Sequence, residues 1–144
     1  MPLVVPDLGE VEMLRWTLRA DLTRTVNLTL HLFKNDYTPH RESVIGDFTE
    51  ADFDGYAPVA LDWGQWTGPN SVGGVAVSLY GSGFQTFTPA TGTQDIYGYY
   101  VTDAEDEICI WAERFPTVVV TDAAHPVQVQ PVMRGHSEFE PESP

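Results

Sequence analysis

The stretch Thr23-Arg-Thr-Val-Asn-Leu-Thr-Leu-His-Leu-Phe-Lys34 (TRTVNLTLHLFK, residues 23–34) decides the fold class. Val26, Leu28, Leu30 and Leu32 alternate with Asn27, Thr29 and His31. A period of two puts the aliphatic residues on one side of an extended chain and the polar ones on the other, as in a half-buried β-strand. His31 then stands on the polar face, where a lone histidine is ordinarily solvated or satisfied by a neighbour.

The same alternation continues downstream. APVAL (57–61) reads as a short strand, and VAVSLYGSGFQTF (75–87) alternates Val75, Val77 and Leu79 with Ala76, Ser78 and Tyr80. DIYGYYVTDAEDEICIWAERF (95–115) reads as a hairpin around the polar turn DAEDE, whose four carboxylates need only solvent. TVVVT (117–121) and PVQVQPV (126–132) supply the last strands. NDYTPHRES (35–43), DWGQWTGPNSVGG (62–74) and PATGTQ (89–94) carry the glycine, proline and Asn/Asp signals of turns. Roughly seven to nine short strands between such turns predict a mainly β domain, an antiparallel β-sandwich or barrel.

Upstream of the strands the period changes. DLGEVEMLRWTLRA (7–20) places Leu8, Val11, Leu14 with Met13, and Leu18 near helical spacing. Asp7 stands at the N-cap, Glu10 and Glu12 early, Arg15 and Arg19 late, in accord with the helix dipole; Gly9 weakens the helix slightly. MPLVVP (1–6) is apolar between prolines and reads as an extended arm. RGHSEFEPESP (134–144) is acidic and proline-containing. The chain divides into an arm and short helix (1–24), a β domain (25–133) and an acidic C-terminal tail (134–144), so that extended arms flank the domain.

At 144 residues and 42% hydrophobic, the chain is long enough to bury a core without disulfides or metals. Its 21 acidic and seven basic residues give a net charge of −14. Such a surface repels nucleic-acid phosphates and anionic membranes, and favours docking on a basic protein surface. No secretory signal and no membrane-length apolar run is legible, so synthesis in the cytoplasm is expected. Cys109, the only cysteine, lies in EICIWA and reads as a small buried hydrophobe.

DFTEADFDGYA (47–57) is the most chemical-looking stretch, with Asp47, Glu50, Asp52 and Asp54 among Phe48, Phe53 and Tyr56. Counted from Glu50 it gives the front of an EF-hand loop, with Asp52 third, Asp54 fifth and Gly55 sixth. The twelfth position, which must be a bidentate glutamate, is Leu61. No metal, no cofactor and no opposed acid pair is therefore expected, and the stretch reads as a turn. Thr49 is its local cap, and its aromatics pack inward. YGSGF (80–84) sets its glycines too close to Ser82 for a hydrolase elbow, and His31, His40, His125 and His136 lack metal-ligand spacing. No catalytic residue is assigned and no enzymatic activity is expected.

Four stretches together carry a resemblance: LHLFKNDYTP (30–39), IGDFTEADFDGYAPVAL (45–61), GYYVTD (98–103) and IWAERFPTVVVTDAAHPVQVQPV (110–132). They resemble small β-rich structural proteins of tailed bacteriophages and prophages. The resemblance implies a virion component, a head decoration or cement protein that binds and stabilises the shell of the major capsid protein. It also implies a homotrimer at local three-fold axes. The candidate partner contacts are Met1, Leu3, Val4 and Val5 in the arm, Trp63 and Trp66 in DWGQW, and Phe139 in the tail. The alternative is a carbohydrate- or receptor-binding module of a tail or fibre, with Trp63 and Trp66 stacking on sugar rings.

Overall fold

The structure, a computed structural model, describes the backbone of residues 3–19, 28–67, 70–72, 75–81, 83–103 and 108–135. The side chains of 14–19, 63, 70, 72, 75–76 and 134–135 lie outside that description. The chain is mainly β, with one short N-terminal helix and antiparallel sheets.

The helix α1 spans Asp7–Arg19, where the spacing and dipole signals place it. Nine strands follow among the described residues: β1 (Leu28–Phe33), β2 (Val59–Leu61), β3 (Asn70–Val72), β4 (Val75–Leu79), β5 (Gln85–Phe87), β6 (Gln94–Asp103), β7 (Cys109–Thr121), β8 (Val127–Val129) and β9 (Val132–Gly135). They form a four-stranded sheet in the order β2-β1-β6-β7, a three-stranded sheet β3-β4-β9 and a pair β5-β8. The β6–β7 hairpin is the one read from the sequence; its turn, 104–107, lies outside the described residues.

One core is shared by all these sheets. Leu28, Leu30 and Leu32 of β1, Val101 of β6, Trp111 of β7, Phe87 of β5, and Val127 and Val129 of β8 are buried together, with Met133 of β9 packed against them. The even-numbered leucines of β1 therefore point inward as the alternation requires. Val26 and Asn27, at the start of the quoted pattern, lie outside the described residues.

The expected polar face of β1 is not solvated. His31 and Phe33 are also buried, because the segment 37–48 folds over the opposite face of the sheet. Phe33, Phe48 and Tyr100 form a second apolar cluster there with Cys109 and Ala112, flanked by Tyr37. His31, Tyr100 and Phe48 stack in succession, with ring centroids 4.7 Å and 4.6 Å apart. Half-burial would leave this face to water; the observed two-sided burial adds the Phe33 ring to the apolar surface that β1 removes from it.

Three other boundaries differ from the sequence reading. β3 lies inside the stretch 62–74 read as a turn, because Asn70–Val72 pairs with Val75–Val77. Residues 75–87 form two strands in different sheets, separated by residues 80–84, within which Gly81 has φ +61°. TVVVT is not a separate strand but the end of β7. Its pairing with β6 shifts between Ile96↔Val119 and Gly98↔Arg114, leaving Phe115–Val118, with Pro116, outside the register. A proline has no N–H to donate to a ladder, which accounts for an irregularity here.

Candidate functional site

The connector 44–57 is the region where the sequence concentrates ionisable groups, and the structure shows what each does. Residues 49–51 lie along the edge of β1 beyond the end of β2. Lys34 N donates to Thr49 O (2.9 Å), Ala51 N donates to Leu32 O (2.9 Å), and Phe33 and Glu50 form an isolated antiparallel bridge. Thr49 thus caps no helix; its backbone completes the ladder that β2 leaves unfinished.

The four carboxylates diverge. Asp47 accepts the Val44 N–H at 2.9 Å and closes a short 3-10 turn. Asp52 is bound by Lys34 Nζ and Gln94 Nε2, each at 2.7 Å, and these bonds hold its carboxyl below the usual aspartate range. Asp54 accepts the Thr91 hydroxyl at 3.3 Å. Glu50 turns inward to His31 Nδ1 (2.7 Å) and accepts the Tyr56 hydroxyl (3.0 Å). Among the described residues no group of three acidic, histidine or cysteine side chains is placed to hold a metal ion. Phe48 and Phe53 are buried, as the turn reading requires, and Tyr56 packs edge-on to Phe53.

His31 is the residue whose importance the sequence understates. It is only 4% exposed, bonded on one side to Glu50 and on the other, through Nε2, to Thr102 Oγ1 at 2.9 Å. An acid, a histidine and a hydroxyl in this order have the connectivity of a nucleophilic triad. Access separates this arrangement from a catalytic one. Thr102 is 0% exposed on the central strand β6, so no substrate carbonyl reaches its oxygen. The set ties the connector to β1 and β6 instead. Tyr56 extends it, since its hydroxyl accepts the Leu32 N–H at 3.1 Å. Burial is the main reason its phenol is held well above the ordinary tyrosine range. A partial signal was available in the sequence: His31 is a polar residue between Leu30 and Leu32, but only the antiparallel pairing of β1 with β6 brings Thr102 to it.

The candidate contact residues fall into three groups. Met1 and Phe139 lie outside the described residues, as does the Trp63 side chain. Leu3, Val4 and Val5 are half-buried against their own domain: Val4 exchanges both backbone hydrogen bonds with Ala112 at 2.9 Å, extending the β7 edge. Trp66 is half-buried and packs edge-on against Tyr80 and Trp111. The described part of the arm and Trp66 are thus engaged within the chain. Cys109 is buried and free, and burial pushes its thiol up to about 12.

Helix α1 is docked by an unexpected face. Leu8 and Val11 are exposed, whereas Gly9 and Glu12 are buried and Met13 packs on the core. A Cβ on Gly9 would stand 2.5 Å from the Ile110 carbonyl oxygen. The glycine that weakens the helix is what allows it to approach β7. Of the seven basic residues, the three whose side chains are described are each paired: Lys34 with Asp52, Arg41 with Asp7 and Glu10, and Arg114 with Asp36.

No protein-family model, curated protein or solved structure matches the chain significantly. No helix among the described residues is long and apolar enough to cross a membrane.

Proposed function

We propose that this chain is a virion structural protein, a decoration or cement subunit that docks on the shell of the major capsid protein. One observation carries the reading. The four stretches that resemble phage structural proteins come together in space as the sheet β2-β1-β6-β7, its covering connector and strand β8. The His31–Glu50–Thr102 set lies wholly within them. The resemblance thus falls on one continuous structural unit, not on scattered fragments.

The charge supports the same role. With a net charge of −14 and the described cations already paired, the uncompensated surface charge is acidic, which suits a basic docking surface. The connector carboxylates serve fold geometry, and the Thr102 hydroxyl is sealed, so these groups offer a ligand no open reactive centre. On a shell, three copies would surround a local three-fold axis, as the resemblance implies.

The test is mass spectrometry of density-gradient-purified virions, followed by rebinding of the purified chain to particles stripped of it. The chain is expected in stoichiometric amounts, with rebinding weakened by added salt. Absence from virions together with no binding to shells overturns the proposal. A glycan array with the wild type and Trp63→Ala separates the tail-module alternative, which requires a sugar signal that the substitution removes.

A further inference from the structure

Helix α1 turns an apolar row outward. A surface helix ordinarily buries such a row and leaves its charges to water. Here Leu8 and Val11 are 53% and 51% exposed, while Gly9 lies against β7 and Glu12 is buried. The sequence continues the row at Leu14 and Leu18, steps of three and four further along the same helix. The close approach at Gly9 fixes the orientation, because the helix cannot roll its row inward without leaving the Ile110 carbonyl.

We infer that this face packs antiparallel on the same face of a second copy, about a two-fold axis at the level of residue 13. Charge complementarity carries the argument. The first half of α1 holds Asp7, Glu10 and Glu12, whereas residues 13–20 hold Arg15 and Arg19 and no acid. Asp7 and Glu10 share the single cation Arg41, at 3.0 Å and 3.6 Å, so the N-terminal half stays net negative. An antiparallel pair lays each acidic half along the other copy's basic half, with Asp7 level with Arg19 and Leu8 level with Leu18. Flanking charges of this kind set the orientation of paired helices. A parallel pair, or a parallel three-helix contact, would set acid beside acid, arginine beside arginine, and the helix dipoles alongside each other.

Charge also selects this surface over the rest. Two copies at −14 each repel over most of their surfaces, but on α1 three acids meet three arginines, counting the docked Arg41. The same patch on both copies closes the contact as an isologous pair. A helix of 13 residues is about 20 Å long. Such a contact is small beside the ~1,200–2,000 Å² of a stable complex, so the dimer is weak and concentration-dependent. The inference does not rest on the virion reading, and shell binding and helix pairing are measured separately.

The experiment is sedimentation velocity on the full chain from about 5 to 500 μM. The wild type is expected to move from one chain mass towards two. Leu8→Arg/Val11→Arg sets new cations beside the second copy's Arg15 and Arg19, and this variant is expected to stay monomeric with the thermal melt of dilute wild type. Orientation is read by oxidative cross-linking with oxidised glutathione, which also decides the matter should that variant fail to fold. Leu8→Cys and Leu18→Cys are expected to give a disulfide-linked dimer only when mixed, because antiparallel packing brings position 8 to position 18 and keeps each from its own copy. A wild type that stays monomeric across the range or forms a trimer overturns the inference. So does self-association of the folded arginine variant equal to the wild type's. A mixture that does not cross-link, or a single cysteine variant that cross-links as readily as the mixture, overturns it equally.

Discussion

Replacing Gly9 by alanine sets two effects of opposite sign against each other. In an exposed helix interior the change stabilises by about 1 kcal/mol, since alanine loses less backbone freedom on folding. Here the new Cβ would stand 2.5 Å from Ile110 O, 2.9 Å from Cys109 O and 3.0 Å from Ile110 C. All three are backbone atoms of β7, two and three residues before Ala112, where Val4 is bonded. No side-chain rotation relieves the overlap, so the helix must move off the strand. Such overpacking costs typically about 1–3 kcal/mol, and the lifted helix also exposes part of Pro6 and Met13. The upper half of that range applies because the obstacle is backbone, giving a net loss of roughly 1–2 kcal/mol. For a chain of this size the melting temperature falls by roughly 3–10 °C. Thermal and urea unfolding followed by circular dichroism measure it, with Gly46→Ala as control, where nothing lies within 4 Å of the new Cβ. Stabilisation of Gly9→Ala by about 1 kcal/mol would refute the docked helix.

Gly98→Ala should destabilise by about 3 kcal/mol or more, because its Cβ would collide with the Glu113 carbonyl oxygen and lie 2.6 Å from the Phe33 ring; urea midpoints unchanged from wild type would contradict that packing. Tyr56→Phe removes the acceptor of the Leu32 N–H and one donor to Glu50, an expected loss of about 1–3 kcal/mol; a loss below about 0.5 kcal/mol in the same assay argues against the bond. The Cys109 thiol, pushed up to about 12 from 9.0, is neutral in the fold over a range where the unfolded chain ionises. Its contribution is therefore complete below about pH 9 and is lost as pH rises towards 12. Wild type should lose about 1 kcal/mol more than Cys109→Ala between pH 9 and 10, and parallel losses in the two proteins would disprove the assignment.

Much of the β architecture was legible because it rests on local chemistry. Alternation in 28–32 marks which leucines face the core, and the polar sequence 103–107 separates two β-rich runs that pair. What the sequence hid depends on distant partners. β3 is three residues long and exists because Asn70–Val72 meets Val75–Val77, so no window centred on it shows a strand. The helix presented Leu8 and Val11 as an apolar face, yet backbone proximity at Gly9 decides its orientation, and periodicity counts side chains only. His31 belongs to the same class. Its neighbour in the network, Thr102, is 71 residues away and arrives through the β1–β6 register.

The connector shows why composition misleads about function in such a site. Four carboxylates within eight residues suggest one centre, but a metal or a catalytic pair needs them to converge. Here the backbone of 49–51 is committed to the edge of β1, and in an extended segment successive side chains alternate sides. Glu50 is therefore turned inward to His31, while Asp52, two residues on but past the end of the ladder, reaches outward to Lys34 and Gln94. The same constraint that gives Glu50 its buried partner denies it the company of the other acids. A Glu50→Gln substitution keeps the shape of the side chain but removes its charge, so its effect should fall on the bonds with His31 and Tyr56 and leave the Asp52–Lys34 pair unaltered. NMR of the His31 ring and of Lys34 Nζ in the variant reads the two separately, and a coupled response would show that the acids act as one cluster after all.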